Sequence, residues 1–281
     1  MINKLEILDL ASSLTIQINT IEKDYVLGWI LMGIERNRKI NNSWIFKGGT
    51  CLKKCFFHDY RFSEDLDFTL KDFTQFDESF LKIVINEVSD WVMEESGIEI
   101  PQNKHSINFY TNLQGSESCQ IKISYLGPLR QKQRSNLPTI KLDITPNEKV
   151  VLPPERRTIF HPYSDKPHHP SKILCYSYEE IFAEKLRALA ERARPRDLYD
   201  IIHLYKNASN IEKIKFLSSL EQKCAFKRLP PPTLKTIEKH PQKALLSSEW
   251  KNMLDHQLAN LSSFDSYWKQ LPEVFEWISK K

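Results

Sequence analysis

The chain has 281 residues, of which 41% are hydrophobic and 27% charged, and its formal net charge is +4. These values describe an ordinary soluble protein with ample core for one large domain or two modest ones, and they do not by themselves argue for nucleic acid. No stretch approaches the roughly 18–20 apolar residues of a spanning helix, and Met1-Ile2-Asn3-Lys4 does not open a signal peptide. The expectation is a cytoplasmic protein with no membrane association. The five cysteines are scattered, with Cys51 and Cys55 at i, i+4 rather than as a CxxC pair, and are read as reduced thiols.

In chain order, Leu5, Leu8, Leu14 and Ile18 recur at near-helical spacing, and a second helix is predicted over 23–37 on Val26, Leu27, Ile30, Leu31 and Ile34. Asn41-Asn42 marks a turn. Trp44-Ile45-Phe46 reads as a buried strand delivering Gly48-Gly49, with Thr50 or a neighbour capping a short helix over 51–56. Read as strand, residues 60–68 place Arg61, Ser63, Asp65 and Asp67 on one face and Phe62, Leu66 and Phe68 on the other. A helix follows over 76–95, ended by Gly97. Strands are predicted over 106–111, 120–125 and 139–145. In the last, Ile140, Leu142 and Ile144 alternate with Lys141, Asp143 and Thr145, so Asp143 sits on the polar face.

The proline-rich stretch 150–170 reads as loop, and its His161, His168 and His169 as surface loop histidines without a metal partner at ligand spacing. The domain boundary falls near its end, giving a first domain over 1–172 and a helical second domain over 173–281. Ser177 and Glu180 form an S-x-x-E capping box opening a helix over 178–193. Lys185 lies on or beside its apolar stripe with no acid at i±4, a position that suits a snorkelling lysine as well as a functional one. Pro195 starts the next helix, where Asp197 favours the positive end or serves with Lys185 across the hairpin. Helices over 211–226, 243–261 and 264–278 complete a bundle. Three basic groups stand out: Arg130, Lys132 and Arg134; Arg156 and Arg157; and Arg187, Arg192, Arg194 and Arg196. Each singly is solvated surface; together they could track an RNA backbone.

Carboxylates two residues apart on one strand face make a poor core and a good seat for hard cations, and a Gly-Gly pair lets backbone N–H groups approach a phosphate. Asp65, Asp67 and Asp143 therefore suit Mg²⁺ (or Mn²⁺), which takes oxygen ligands and accompanies substrate phosphates. With a pair of such ions, one activates an attacking hydroxyl and the other neutralises a leaving pyrophosphate. Gly48, Gly49, Thr50 and Ser63 would hold the triphosphate of an NTP, and Lys185 would add positive charge.

Gly48-Gly49-Thr50-x-Leu52-x-Lys54 followed by Arg61-Phe62-Ser63-Glu64-Asp65-Leu66-Asp67 resembles the AbiEii family of nucleotidyltransferase toxins within the DNA polymerase β superfamily. Ala183-Glu184-Lys185-Leu186-Arg187-Ala188-Leu189 and Arg194-Pro195-Arg196-Asp197-Leu198-Tyr199-Asp200 resemble its third and fourth motifs, and Glu22-Lys23-Asp24-Tyr25 is typical of it. The resemblance spans residues from about 20 to 205. It implies an α+β fold: a polymerase-β-like core of mixed sheet flanked by helices, then a helical C-terminal domain. It also implies a toxin of type IV-like toxin–antitoxin or phage-defence modules, an NTP substrate, a cognate antitoxin, and for several members a tRNA 3′ acceptor end as target. Carried over, Asp65 and Asp67 are the metal carboxylates, Ser63 lines the triphosphate pocket, and Lys185 and Asp197 are essential. Two alternatives remain: transfer onto a protein side chain by the same chemistry, and an inactive scaffold that binds RNA or the antitoxin.

Overall fold

The local signals that punctuate the chain decide its elements. The computed structural model describes residues 1–111, 115–131 and 137–280. Residues 1–148 with 154–175 form one unit, and 149–153 with 176–281 another.

In the first unit, Asn3 caps α1 (Lys4–Leu14) by accepting from the Glu6 N–H. Helix α2 (Ile18–Arg36) is buried along both faces, as an interior helix must be; it lies against the sheet and carries α4 (Glu78–Ser96) on it. Strand β1 (Trp44–Lys47) runs into Gly48, whose φ of +80° turns the chain into α3 (Gly48–Cys51). One π-helical turn over Leu52–Phe56 continues it. The predicted strand over 60–68 begins only at Asp65: β2 is Asp65–Leu70, and 60–64 are irregular. Asp77 caps α4 and Gly97, at φ +72°, ends it.

Strands β3 (Ser106–Thr111), β4 (Glu117–Ser124) and β5 (Thr139–Thr145) follow. Two more strands, β6 (Glu155–Thr158) and β7 (Lys172–Cys175), lie in and just past the stretch expected to be loop. The β6 sequence, Glu-Arg-Arg-Thr, has no apolar alternation because it is an edge strand with no face fully covered. The seven strands form one mixed sheet in the order β3-β4-β5-β2-β1-β7-β6. Its centre sets the geometry that matters: β2 pairs parallel with β5, placing Asp65 beside Lys141 and Asp67 beside Asp143, while antiparallel β1 places Lys47 beside Asp67. In β5, Ile140, Leu142 and Ile144 are buried and Asp143 is half-buried on the other face, as alternation predicts.

The second unit is helical: α5 (Tyr178–Arg192), α6 (Pro195–Lys206) and α7 (Lys213–Phe226), then short helices α8 (Leu234–Glu238), α9 (Lys243–Ser248), α10 (Trp250–Leu254), α11 (Phe264–Trp268) and α12 (Leu271–Ser279). Phe182, Phe216 and Trp277 pack together in its core. The helix expected over 243–261 is broken. That expected over 264–278 is split near Pro272, which sits in the first turn of α12 where its missing N–H costs nothing. The capping box is half formed. Ser177 accepts the Glu180 N–H, but the Glu180 carboxylate does not turn back. It accepts from the Val151 and Leu152 N–H groups and pairs with Lys223 at 2.8 Å, both charges fully buried. A carboxylate out of water demands such partners, and they outbid a cap at the helix end.

Candidate active site

Two observations place the glycine turn against the acidic strand. A Cβ on Gly48 would lie 2.2 Å from Asp67 Oδ2, and Gly48 holds a left-handed φ. Both facts demand glycine there. A Cβ on Gly49 would meet the Arg61 guanidinium at 2.6 Å and Ser63 Oγ at 3.2 Å. The turn thus packs on Asp67 on one side and on Arg61 and Ser63 on the other. The N–H groups of Gly48, Gly49 and Thr50 stand in the first helical turn, where no intrahelical acceptor exists, at the positive end of the helix dipole. No side chain caps this end. Backbone donors, lack of Cβ and a helix N-terminus are the elements of an anion seat.

Thr50 is turned inward. Its hydroxyl donates to the Asp65 carbonyl at 2.5 Å and is almost fully buried, so the expected hydroxyl contact to a triphosphate is replaced by a brace between α3 and β2. The predicted cap at Thr50 is likewise displaced, since the helix already starts at Gly48.

Asp65, Asp67 and Asp143 share one face of adjacent strands. Gln120 donates to Asp143 Oδ1 at 3.0 Å from the neighbouring β4. Burial pushes the Asp65 carboxyl above its ordinary range; Lys141 and Lys23 pull the other way, while Asp143 and Glu64 add like charge. Lys23 pairs with Glu64 at 2.9 Å. Three carboxylates on one sheet face are hard oxygen donors, and the upward shift at Asp65 comes first from its burial. Carboxylate oxygens are the ligand type that divalent ions of the Mg²⁺ class take.

Lys185 and Asp197 belong to the second unit, where the structure brings them together. Lys185 Nζ lies 2.8 Å from Asp200 and 3.6 Å from Asp197, so it has acidic partners across the hairpin although none at i±4. Arg192 grips Asp197 through two bonds, Nε to Oδ2 at 2.8 Å and Nη2 to Oδ1 at 3.0 Å. Burial alone would raise Asp197, but Arg192 and Lys185 outweigh it and hold the carboxyl below its ordinary range.

Several residues that the sequence motifs include were given no part of their own by sequence reasoning. Arg61 is buried beneath Gly49 rather than aligned on a strand. Asp24 and Lys54 form a fully buried pair at 2.6 Å, joined by the Tyr163 hydroxyl at 2.8 Å, and tie α2 to the π turn. Asp200 completes the Lys185 cluster. The signal was a charged residue, Asp24 or Lys54, set at helical spacing among apolar ones. His161 is no surface residue: it is buried among Tyr25, Trp29 and Tyr163. The basic groups are also differently used. Arg130 pairs with Glu99, Arg187 is buried with Glu191, and Arg196 donates to the Met253 carbonyl. Lys132 and Arg134 lie outside the described residues.

A mixed sheet flanked by helices, with a glycine turn abutting strand carboxylates, is the architecture of a nucleotidyltransferase. The chain belongs to the AbiEii family: the family profile described as "Nucleotidyl transferase AbiEii toxin, Type IV TA system" matches residues 30–275. Among solved structures it is similar in fold to MenT4, the nucleotidyltransferase toxin Rv2826c of Mycobacterium tuberculosis H37Rv. That match has a TM-score of 0.66 and 16% identity, covering 100% of this chain and 91% of that one. No curated protein sequence matches the chain. The protein is therefore a nucleotidyltransferase toxin of a type IV toxin–antitoxin system, which implies an antitoxin partner. Among the described residues, no helix is long and apolar enough to cross a membrane.

Proposed function

We propose that this toxin transfers a nucleotide from an NTP to RNA, at the 3′ acceptor end of tRNA, with Mg²⁺ or Mn²⁺ held by Asp65, Asp67 and Asp143. The observation that supports the reading is the abutment of Gly48 on the Asp67 carboxylate, which brings the backbone donors of the glycine turn beside an acidic sheet face. When bound, divalent ions would activate the attacking hydroxyl and neutralise the departing pyrophosphate. The chain's own residues do the rest. The first-turn N–H groups of Gly48 and Gly49 and the Ser63 hydroxyl hold the triphosphate, and Thr50 fixes the turn to β2. The part of Lys185 towards the triphosphate is taken from the family resemblance; within the second unit, Asp197 and Asp200 position its ammonium through ion pairs.

The RNA acceptor is taken from the family resemblance. An open cleft of about 1030 Å³ in the first unit supports it, since Arg156, Arg157, Lys166 and Lys172 line it against a single acid, Glu155. A growth-arresting role in phage defence follows from the same source.

The test is incubation of the full chain with each labelled NTP, Mg²⁺ and total tRNA. Labelled tRNA from the wild-type chain, and none from Asp65→Ala or from chelator-treated protein, is the expected result. Label on protein instead would replace RNA by a protein acceptor. Undiminished transfer by Asp65→Ala would remove the metal site from the reading.

A further inference from the structure

Outside the carboxylate site, three cysteines converge from separate segments. Cys51 is the last residue of α3, Cys55 lies in the π turn after it, and Cys175 ends β7, beside β1 in the sheet. Their sulfur atoms all lie within 4.8 Å of one another. None is in a disulfide. We propose that Cys51, Cys55 and Cys175 form a second metal site, which binds one thiophilic cation of the Zn²⁺ type through three thiolates.

The chemistry and geometry agree. Zn–S bonds of about 2.3 Å in a tetrahedron set sulfurs about 3.8 Å apart, so the cluster needs a contraction of about 1 Å at most. Thiolates select soft cations over Mg²⁺, so the two sites do not compete for one metal. Three thiolates and Zn²⁺ carry a net single negative charge. Arg157, whose guanidinium stacks over Phe56 at 4.1 Å and pairs with Glu155 at 2.8 Å, is a cation near Cys55 and Cys175. Binding converts the three thiols to thiolates, and their protons pass to solvent as the metal takes their place. Cys55 is the half-exposed member and lines the open cleft, which provides the entry path and room for an exogenous fourth ligand.

Ordinary apolar packing places buried thiols singly against hydrocarbon, and does not explain three sulfurs meeting beside an arginine. A bound metal would fasten the end of β7 to α3, one residue after Thr50. The proposal does not rest on the transfer reading, and its test leaves that reading untouched.

The test uses the full reduced chain, stripped with a chelator and titrated with Co²⁺. Expected is sulfur-to-cobalt charge-transfer absorption saturating at one equivalent and bleached by Zn²⁺. It should be lost in Cys55→Ser, retained in Cys224→Ser, whose thiol is in the second unit, and retained when Asp65 and Asp67 are both changed to Asn. On the wild-type chain, one equivalent of Zn²⁺ should protect Cys55 from iodoacetamide. No absorption, a band that survives Cys55→Ser, or an alkylation rate indifferent to Zn²⁺ would overturn the site. So would reduced protein that takes up no metal yet forms a disulfide between two of these cysteines in air.

Discussion

The acids singled out in the two units are set differently: those on the sheet are half-buried, those of the Lys185 cluster fully buried. In the second unit Asp197 and Asp200 are met by Arg192 and Lys185, and Asp197 is held below its ordinary range. In the first unit Asp65, Asp67 and Asp143 stand side by side on neighbouring strands, and Asp65 is pushed above its range by burial with Asp143 adding to it. A balanced cluster lowers the energy of the folded chain as it stands. A carboxyl whose range is raised by burial, as at Asp65, is costly to ionise, and groups of that kind cluster at functional sites. The contrast predicts that damage to the strand carboxylates or their glycine turn strikes activity, and damage to the helical cluster strikes stability as well.

Gly48→Ala is the sharpest way to break this comparison. The new methyl must displace the Asp67 carboxylate and strain a left-handed backbone. Transfer should fall by about 10²-fold, the scale of a 1 Å misplacement, with the thermal midpoint changed far less than the rate. A rate near wild type would separate the turn from the chemistry. Asp197→Asn should instead destabilise by about 3 kcal/mol, the low end for a broken buried pair because Arg192 is half in water. Denaturant unfolding measures it, and an unchanged midpoint would make the cluster purely functional.

Acid separates the two groups by sign. Asp65 has a raised folded value, so its ionised form costs stability at neutral pH, a cost relieved as pH falls through that value. Proton and metal compete for the same oxygens, so Mn²⁺ affinity should drop over that interval, above the pH where an ordinary carboxylate titrates. Asp197 has a depressed folded value. Its contribution is complete above the unfolded value of 3.8 and is lost only as pH falls through the lower folded one. Mn²⁺ titrations and thermal melts across this range should show metal binding failing first; simultaneous loss would erase the distinction. The smallest effect is expected of Thr50→Val, which removes one hydrogen bond to the Asp65 carbonyl and should cost about 1 kcal/mol. A larger loss of transfer than of stability would restore a direct part for Thr50 in substrate binding.

Alternation and spacing made the site's outline legible. The period-two pattern of β5 put Asp143 on the polar face, and the structure sets it beside Asp67. Gly97 and Ser177 marked helix ends that stand. Tertiary partners were not legible. Arg61 read as a strand residue because its Tyr-Arg-Phe-Ser setting alternates, yet a buried guanidinium packed on Gly49 takes the segment out of the sheet. Edge strand β6 carried no apolar period to read. Glu180 mimicked a capping residue because local pattern cannot report Lys223, a partner distant in sequence and buried at 2.8 Å. The three-sulfur cluster was hidden in the same way: i, i+4 spacing relates Cys51 to Cys55, but only the sheet order brings in Cys175.

The segment Lys149–Pro153 belongs with the helical unit although the chain on both sides of it belongs with the sheet. No single cut therefore yields both halves whole. A fragment beginning at 173 would lack Val151 and Leu152, the backbone donors to Glu180, and the Lys149 carbonyl that Lys223 donates to at 2.9 Å. Glu180 and Lys223 would keep each other in its interior but lose those backbone partners. The helical half is thus sewn into the gene for the sheet, and recombination could not lift it out as an independent module without carrying that thread along.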